Sequence, residues 1–174
     1  DAYYYLNRQL LFTSIGLVLA ITIYQVKLSF WQGLGIKLLP LAIILLVLVL
    51  IPSIGKQVNG SSRWLSIGVF SLQVSELVKL IMLLYLAGYL VRHGKNLATS
   101  PSYQPLVIPL VVLGLTGALL LWEPDFGSTV VILSMGFVLL FLGGVPFKRL
   151  ALLLGGAMVL MIPAAFIGYR AARI

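Results

Sequence analysis

The sequence predicts an all-α protein: a polytopic transmembrane helical bundle of about six spans plus one short interfacial or re-entrant element. Three observations carry this reading. Apolar residues make up 61% of the chain and charged residues 9%, whereas a soluble domain carries about a quarter charged residues. Mean hydropathy is +1.11. Long apolar runs are joined by short polar connections, with no stretch polar enough for a separate soluble domain, so residues 1–174 read as a single integral membrane domain.

The composition also excludes some functions. With no cysteine, disulfides and cysteine metal sites are ruled out. The formal charge of +8 sits at span ends rather than in a continuous groove. Basic residues there set topology and meet anionic headgroups, which argues against a nucleic-acid partner. The chain starts at Asp1 without a methionine and reads as an internal piece of a longer protein.

Taken in order, Tyr3, Tyr4, Tyr5 and Arg8 suit an interfacial belt, followed by a first span over about residues 10–26. Residues 27–37 (KLSFWQGLGIK) suggest a segment lying in the interface. The second span covers about residues 38–51, with Pro40 in its first turn and Pro52 and Gly55 ending it. Asn59-Gly60 marks a turn. Residues 64–72 are apolar but too short to cross, which predicts a shallow or re-entrant element. The third span covers residues 75–91 and ends in Arg92, His93, Gly94 and Lys95. The fourth covers about residues 105–122, the fifth about 128–142, and the sixth runs to about residue 167 with a kink at Pro163. Strict alternation puts Arg8, Lys56, Arg63, Arg170 and Arg173 on one side and Lys27, Lys37, Arg92, Lys95, Lys148 and Arg149 on the other. The second set, by a narrow margin, faces the cytoplasm. The outer side keeps basic residues that topology does not require, which suits an anionic ligand at the outer leaflet.

Chemistry concentrates between residues 58 and 92. Ser75 can cap the third span, Glu76 complements the helix dipole, and Glu76 and Lys79 are spaced to pair on one face. That pair either cancels two insertion costs or lines a cavity in which Lys79 meets a phosphate or carboxylate. Arg63 beside Trp64 is either a headgroup anchor or a guanidinium fork for phosphate, with Trp64 against a sugar or a lipid tail. Asp125 either caps the fifth span or, with Glu123, binds a cation or accepts from Lys79. His93 reads as solvated in a basic loop, and Gly114, Gly117, Gly127, Gly136, Gly155 and Gly156 read as close helix contacts. No Walker sequence, paired histidines or nucleophile elbow is present. The residues alone support a polytopic protein with a polar, outward-opening site for an anionic amphiphile.

Five motifs in order, VNGSSRWLSIG, QVSELVKL, YLAGYLVR, EPDFGST and LFLGGV, closely resemble the SEDS family of cell-wall proteins, whose branches are FtsW and RodA. YLAGYLVR resembles the FtsW division branch more than the RodA elongation branch. The resemblance covers nearly the whole chain and implies a protein of about ten spans, with this chain supplying roughly the second to the seventh. It matches Arg63 and Trp64 to the family's RW pair, Gln73, Ser75, Glu76 and Lys79 to its Q-P-S-E-x-x-K motif, and Pro124, Asp125 and Gly127 to its P-D-x-G-T turn. Val74 stands where the family has proline, Ser128 where threonine is common, and Glu123 where glutamine is frequent.

The resemblance implies a peptidoglycan glycosyltransferase in the bacterial cytoplasmic (inner) membrane. It would polymerise lipid-linked disaccharide-pentapeptide (lipid II) at the outer leaflet during cell division, beside a class B penicillin-binding protein and other division proteins. Arg63, Trp64, Gln73, Ser75, Glu76, Lys79 and Asp125 become the expected substrate-binding residues. Arg63 and Lys79 would stabilise pyrophosphate charge, with a divalent cation (Mg or Mn) as an optional aid, while Glu76 and Asp125 hold Lys79. The polyprenyl-pyrophosphate-linked glycan would lie with its tail among the spans and membrane lipids. The family's catalytic carboxylate falls in an outer loop beyond Ile174, so no catalytic residue is assigned and the piece alone is expected to be inactive. Two competing classes remain: a flippase for the same lipid, with Glu76 and Lys79 as a relay, and a noncatalytic scaffold for the transpeptidase.

Overall fold

A computed structural model describes residues 2–51, 55–58, 61–67, 70–99, 102–153 and 155–156. It divides into two compact units, residues 1–31 and 32–174. Four helices among the described residues are long and apolar enough to cross a membrane, and a fifth, shorter apolar helix follows them. The predicted helical bundle is therefore the observed fold class.

In the first unit, α1 (Ala2–Gln25) starts well before residue 10. The polar residues Asn7, Arg8 and Gln9 do not break it, because Arg8 donates back one turn to the Tyr4 hydroxyl at 3.3 Å. The Tyr4 and Tyr5 rings meet edge to face within its first turns. Farther along, the Thr22 hydroxyl donates to the Val18 carbonyl at 2.8 Å, so this polar group is satisfied inside the span.

The separate interfacial segment expected over residues 27–37 is not observed. α2 (Leu28–Val49) is one helix, with Lys37 and Pro40 inside it rather than at a boundary. Its polar start is consumed by packing. A Cβ on Gly35 would fall 2.6 Å from the Leu84 carbonyl oxygen, and the Arg92 guanidinium donates to the Gln32 carbonyl at 3.0 Å. Those contacts hold Gln32 and Gly35 against the next helix, where an amphipathic reading would have left the segment lying in the interface.

The connection that follows is a three-stranded antiparallel sheet, not a re-entrant element. It comprises β1 (Gly55–Val58), β2 (Ser61–Ile67) and β3 (Phe70–Gln73), in the order β1-β2-β3. Gly55 pairs with Leu65, Lys56 with Trp64, and Trp64 with Gln73, with a bulge between Lys56 and Gln57. Three short runs satisfy their backbone groups on one another, which a nine-residue apolar run inside lipid could not do alone. The predicted Asn59-Gly60 turn and the stop at Pro52 lie outside the described residues.

α3 (Val74–Thr99) is the axis of the second unit, packing on α4 (Gln104–Trp122), α5 (Phe126–Leu142) and β2. It runs past the expected end at residue 91, where Arg92 finds a partner on α2 and His93 one along the helix. The His93 ring stacks on Tyr89 with centroids 4.4 Å apart, and its Nδ1 lies 3.2 Å from the Tyr89 carbonyl oxygen. The expected solvated loop histidine is thus a half-buried helix residue.

The core is built from Val78, Met82, Tyr85 and Leu86 of α3, Leu106, Leu113 and Leu120 of α4, Ile132 and Leu140 of α5, and Ala42, Leu46 and Val49 of α2. Leu106, Leu113 and Leu120 recur every seventh residue and so form one stripe. Gly136 takes the Leu113 side chain and Gly117 lies near Thr129, as close-packing glycines should. Gly114, Gly127, Gly155 and Gly156 meet no neighbouring helix among the described residues, contrary to expectation, while Gly35 and Gly88 do. After α5, residues 147–153 and 155–156 are helical; the rest of the predicted sixth span, with Pro163, lies outside the described residues.

Candidate functional site

The polar site forms where β2 crosses the turn between α4 and α5. That turn is set by backbone bonds: Glu123 N–H donates to Leu119 O at 3.1 Å and Asp125 N–H to Leu120 O at 2.8 Å. Asp125 then caps α5. Its Oδ1 accepts from Ser128 N–H at 3.2 Å, and its carbonyl accepts from the Thr129 hydroxyl at 2.8 Å and the Thr129 N–H at 3.1 Å. Ser128 and Thr129 are buried, so the hydroxyls of the ST pair face inward.

Strand β2 brings Arg63 to this cap. Its guanidinium donates to the Pro124 carbonyl, and Nη1 lies 3.9 Å from Asp125 Oδ1. The sequence left open whether Asp125 caps a helix or, with Glu123, binds a cation or accepts from Lys79. It caps α5, and the charged side chain beside it is Arg63. Gln73, at the end of β3, donates to the Ser75 hydroxyl at 3.1 Å. Ser75 is fully buried and lies close enough to stabilise the Asp125 charge. Burial alone would raise the Asp125 carboxyl. The bonds from Ser128, the nearby Ser75 hydroxyl and the Arg63 charge outweigh it and hold the group below the usual carboxylate range. Trp64 is half-buried opposite Gln73 in the β2–β3 ladder. Sites read from three separate motifs thus converge on one corner.

Glu76 and Lys79 stand apart from that corner. Lys79 Nζ donates to Glu76 Oε1 at 2.7 Å, one turn away on α3. The Glu76 side chain is 60% exposed and that of Lys79 24%, so the pair lines the accessible side of the helix while Ser75 and Val78 turn inward. Lys79 is therefore held by Glu76; the expected contact with Asp125 is replaced by that of Arg63.

Glu123 is the residue that sequence reasoning undervalued. It is 1% exposed, and neither carboxylate oxygen has a hydrogen-bond partner among the described residues; the same holds for Asp125 Oδ2 and Arg63 Nε. Burial, reinforced by the Asp125 charge and opposed by Arg63, pushes the Glu123 carboxyl up to about 8. It is a neutral acid at pH 7. Its sequence signal was the spacing Glu-Pro-Asp, which places two acids in one turn without telling which is buried.

The Arg63 guanidinium is held by a backbone carbonyl and a carboxylate, its buried Nε is unpaired among the described residues, and a group so held has the chemistry to meet an anion. A chelated metal fits less well. No group of three or more His, Cys, Asp or Glu side chains among the described residues could hold one, and the Arg63 charge opposes a cation beside Asp125.

The whole chain, residues 1–174, matches a family model described as cell cycle protein, FtsW/RodA/SpoVE. It is 45% identical to a probable peptidoglycan glycosyltransferase FtsW of Thioalkalivibrio sulfidiphilus, covering 100% of this chain and 43% of that protein. A Legionella pneumophila protein of the same name is 41% identical over 99% of this chain and 43% of its own length. Among solved structures, rod shape determining protein RodA of Thermus thermophilus superposes with a TM-score of 0.69 at 31% identity, covering 88% of this chain and 49% of that one. A chain from a peptidoglycan synthase complex that coordinates polymerization and crosslinking superposes with a TM-score of 0.73 at 32% identity, covering 91% and 45%. This chain spans less than half the length of each of these relatives.

Proposed function

Because this chain belongs to the FtsW/RodA/SpoVE family of cell cycle proteins, we propose that it forms the anion-binding part of a peptidoglycan glycosyltransferase. The substrate is lipid-linked disaccharide-pentapeptide, and the protein extends a glycan strand at the outer face of the bacterial cytoplasmic membrane during division. A class B penicillin-binding protein is the partner that crosslinks the product.

The observation that carries this reading is the convergence of Arg63, Gln73, Ser75 and Asp125 at one end of the bundle, with the Glu76–Lys79 pair on the accessible side of the same helix end. In glycosyl transfer from a polyprenyl pyrophosphate, negative charge grows on the leaving phosphate as the acceptor hydroxyl attacks. Arg63 and Lys79 supply the positive charge for that oxygen. Asp125 and the Pro124 carbonyl position Arg63; Glu76 positions Lys79. Trp64 offers an apolar face for a sugar or lipid tail beside them. The base that deprotonates the acceptor is a carboxylate outside this chain.

The test is strand synthesis by the full-length protein with its partner, given lipid-linked disaccharide-pentapeptide in detergent, with a partner that lacks transglycosylase activity. Strands that disappear in Lys79→Ala support the reading. Movement of labelled lipid across liposomes without strand synthesis would replace it with a flippase. Strand-free activity in recruitment alone, tolerant of Lys79→Ala and Arg63→Ala, would replace it with a scaffold.

A further inference from the structure

The end of the second unit opposite the Arg63–Asp125 corner has its own charge pattern. Arg92 and Lys95 near the end of α3, and Lys148 and Arg149 after α5, share that end. The Gly143 turn sits against Leu90, and Gly94 faces the Gly143 carbonyl oxygen, which brings the two pairs together. The described acids of this unit, Glu76, Glu123 and Asp125, all lie at the other end. One membrane face is therefore net basic among the described residues.

Within that face is a groove of about 350 Å³ lined by Tyr103, Pro146, Lys148, Arg149 and Leu152. The Arg149 guanidinium lies over the Tyr103 ring, 5.7 Å from its centroid. Leu152 is 70% exposed and Tyr103 47%, so the groove offers apolar surface beside its two cations. A soluble anion would use the cations only, and a bare hydrocarbon the apolar surface only. An amphiphile matches both, and the groove's volume falls in the small-ligand range. Arg92 is committed to the Gln32 carbonyl and contributes field rather than contact.

We propose that this groove binds the phosphodiester headgroup of an anionic phospholipid from the adjoining leaflet. Lys148 meets the phosphate as a point charge, and Arg149, over the Tyr103 ring, adds positive charge beside it. Tyr103 sits at headgroup level, and the first methylenes of an acyl chain run along Leu152. The interaction is independent of the polymerisation site, which lies at the other end of the helices.

Native mass spectrometry of the full-length protein, titrated with phosphatidylglycerol or phosphatidylcholine, tests this. The wild-type protein should retain phosphatidylglycerol preferentially. Lys148→Gln/Arg149→Gln should weaken retention by roughly fivefold per charge removed, while Lys27→Gln, another exposed lysine, should not. If the double variant does not fold, Lys148→Gln alone should still show the single-charge loss. Equal retention by variant and wild type would overturn the proposal, as would equal retention of phosphatidylcholine. Displacement of the lipid by inorganic phosphate at equal concentration would also overturn it, marking a site for a soluble anion.

Discussion

Arg63 Nη1 and Asp125 Oδ1 lie 3.9 Å apart, tying strand β2 to the first turn of α5. The Asp125 side chain is 6% exposed and that of Arg63 31%, so the pair is shielded from solvent on one side only. Removing one partner leaves the other charge poorly solvated. In a double-mutant cycle, Arg63→Gln and Asp125→Asn should each lower thermal stability, with a coupling of about 0.5–3 kcal/mol. Additive losses would mean that the two side chains act separately. The depressed Asp125 carboxyl gives the pH sign. Its contribution is present above the unfolded value of 3.8 and is lost as pH falls through the lower folded value.

Glu123 predicts the opposite slope. An unfolded glutamate ionises near 4.5, whereas the buried carboxyl keeps its proton to about 8. Across that window the folded state binds more protons than the unfolded one, so stability falls as pH rises. Glu123→Gln should raise the melting temperature at pH 8, leave it nearly unchanged at pH 4, and flatten the profile between. A variant that melts in parallel with wild type at every pH would show that Glu123 is already ionised in the fold.

Helix approach can be tested at glycine. A Cβ at Gly35 would collide with the α3 backbone at Leu84 and Tyr85, which no side-chain rotation relieves. Gly35→Ala should destabilise by about 1–3 kcal/mol, the cost of overpacking. A methyl group at Gly114, inside α4, would meet nothing within 4 Å, so Gly114→Ala should be neutral or stabilising by about 0.5–1 kcal/mol. Thermal unfolding in detergent separates the two. Equal effects would contradict the packing of α2 on α3.

Lys79 and Glu76 form an accessible pair one turn apart, and such pairs stabilise a helix by only about 0.2–0.5 kcal/mol. Lys79→Ala should therefore leave the melting temperature almost unchanged while strand synthesis falls by about a hundredfold, the scale of losing one electrostatic contact in a transition state. Parallel loss of stability and synthesis would assign the pair to folding.

Much of this was legible from residue patterns. The apolar runs gave α4 to within one residue and α5 to within two, because Pro105 and Asp125 mark their starts and the acidic turn separates them. The run over residues 27–37 misled because its charge and tryptophan pattern suits an interface, whereas Gly35 and Gln32 find partners on α3 that no local pattern reveals. The sheet was hidden for a related reason: strands of four to seven residues show little periodicity until they pair. At the site, the motifs held Arg63, Gln73, Ser75 and Asp125, which the fold gathers at one corner. They could not say that Asp125 belongs with Arg63 rather than with Lys79, nor that Glu123 is the more buried acid, because both depend on where β2 crosses the turn.

The proposed anion role of the Arg63–Asp125 corner depends on guanidinium geometry, which Arg63→Lys isolates. The full-length variant, with its partner lacking transglycosylase activity, should be assayed for glycan strands beside a thermal melt. Lysine keeps the charge but loses the fork that spans the Pro124 carbonyl and Asp125. The variant should fold, and its strand synthesis should drop by at least about tenfold. Synthesis at the wild-type rate, with the fold intact, would contradict that role.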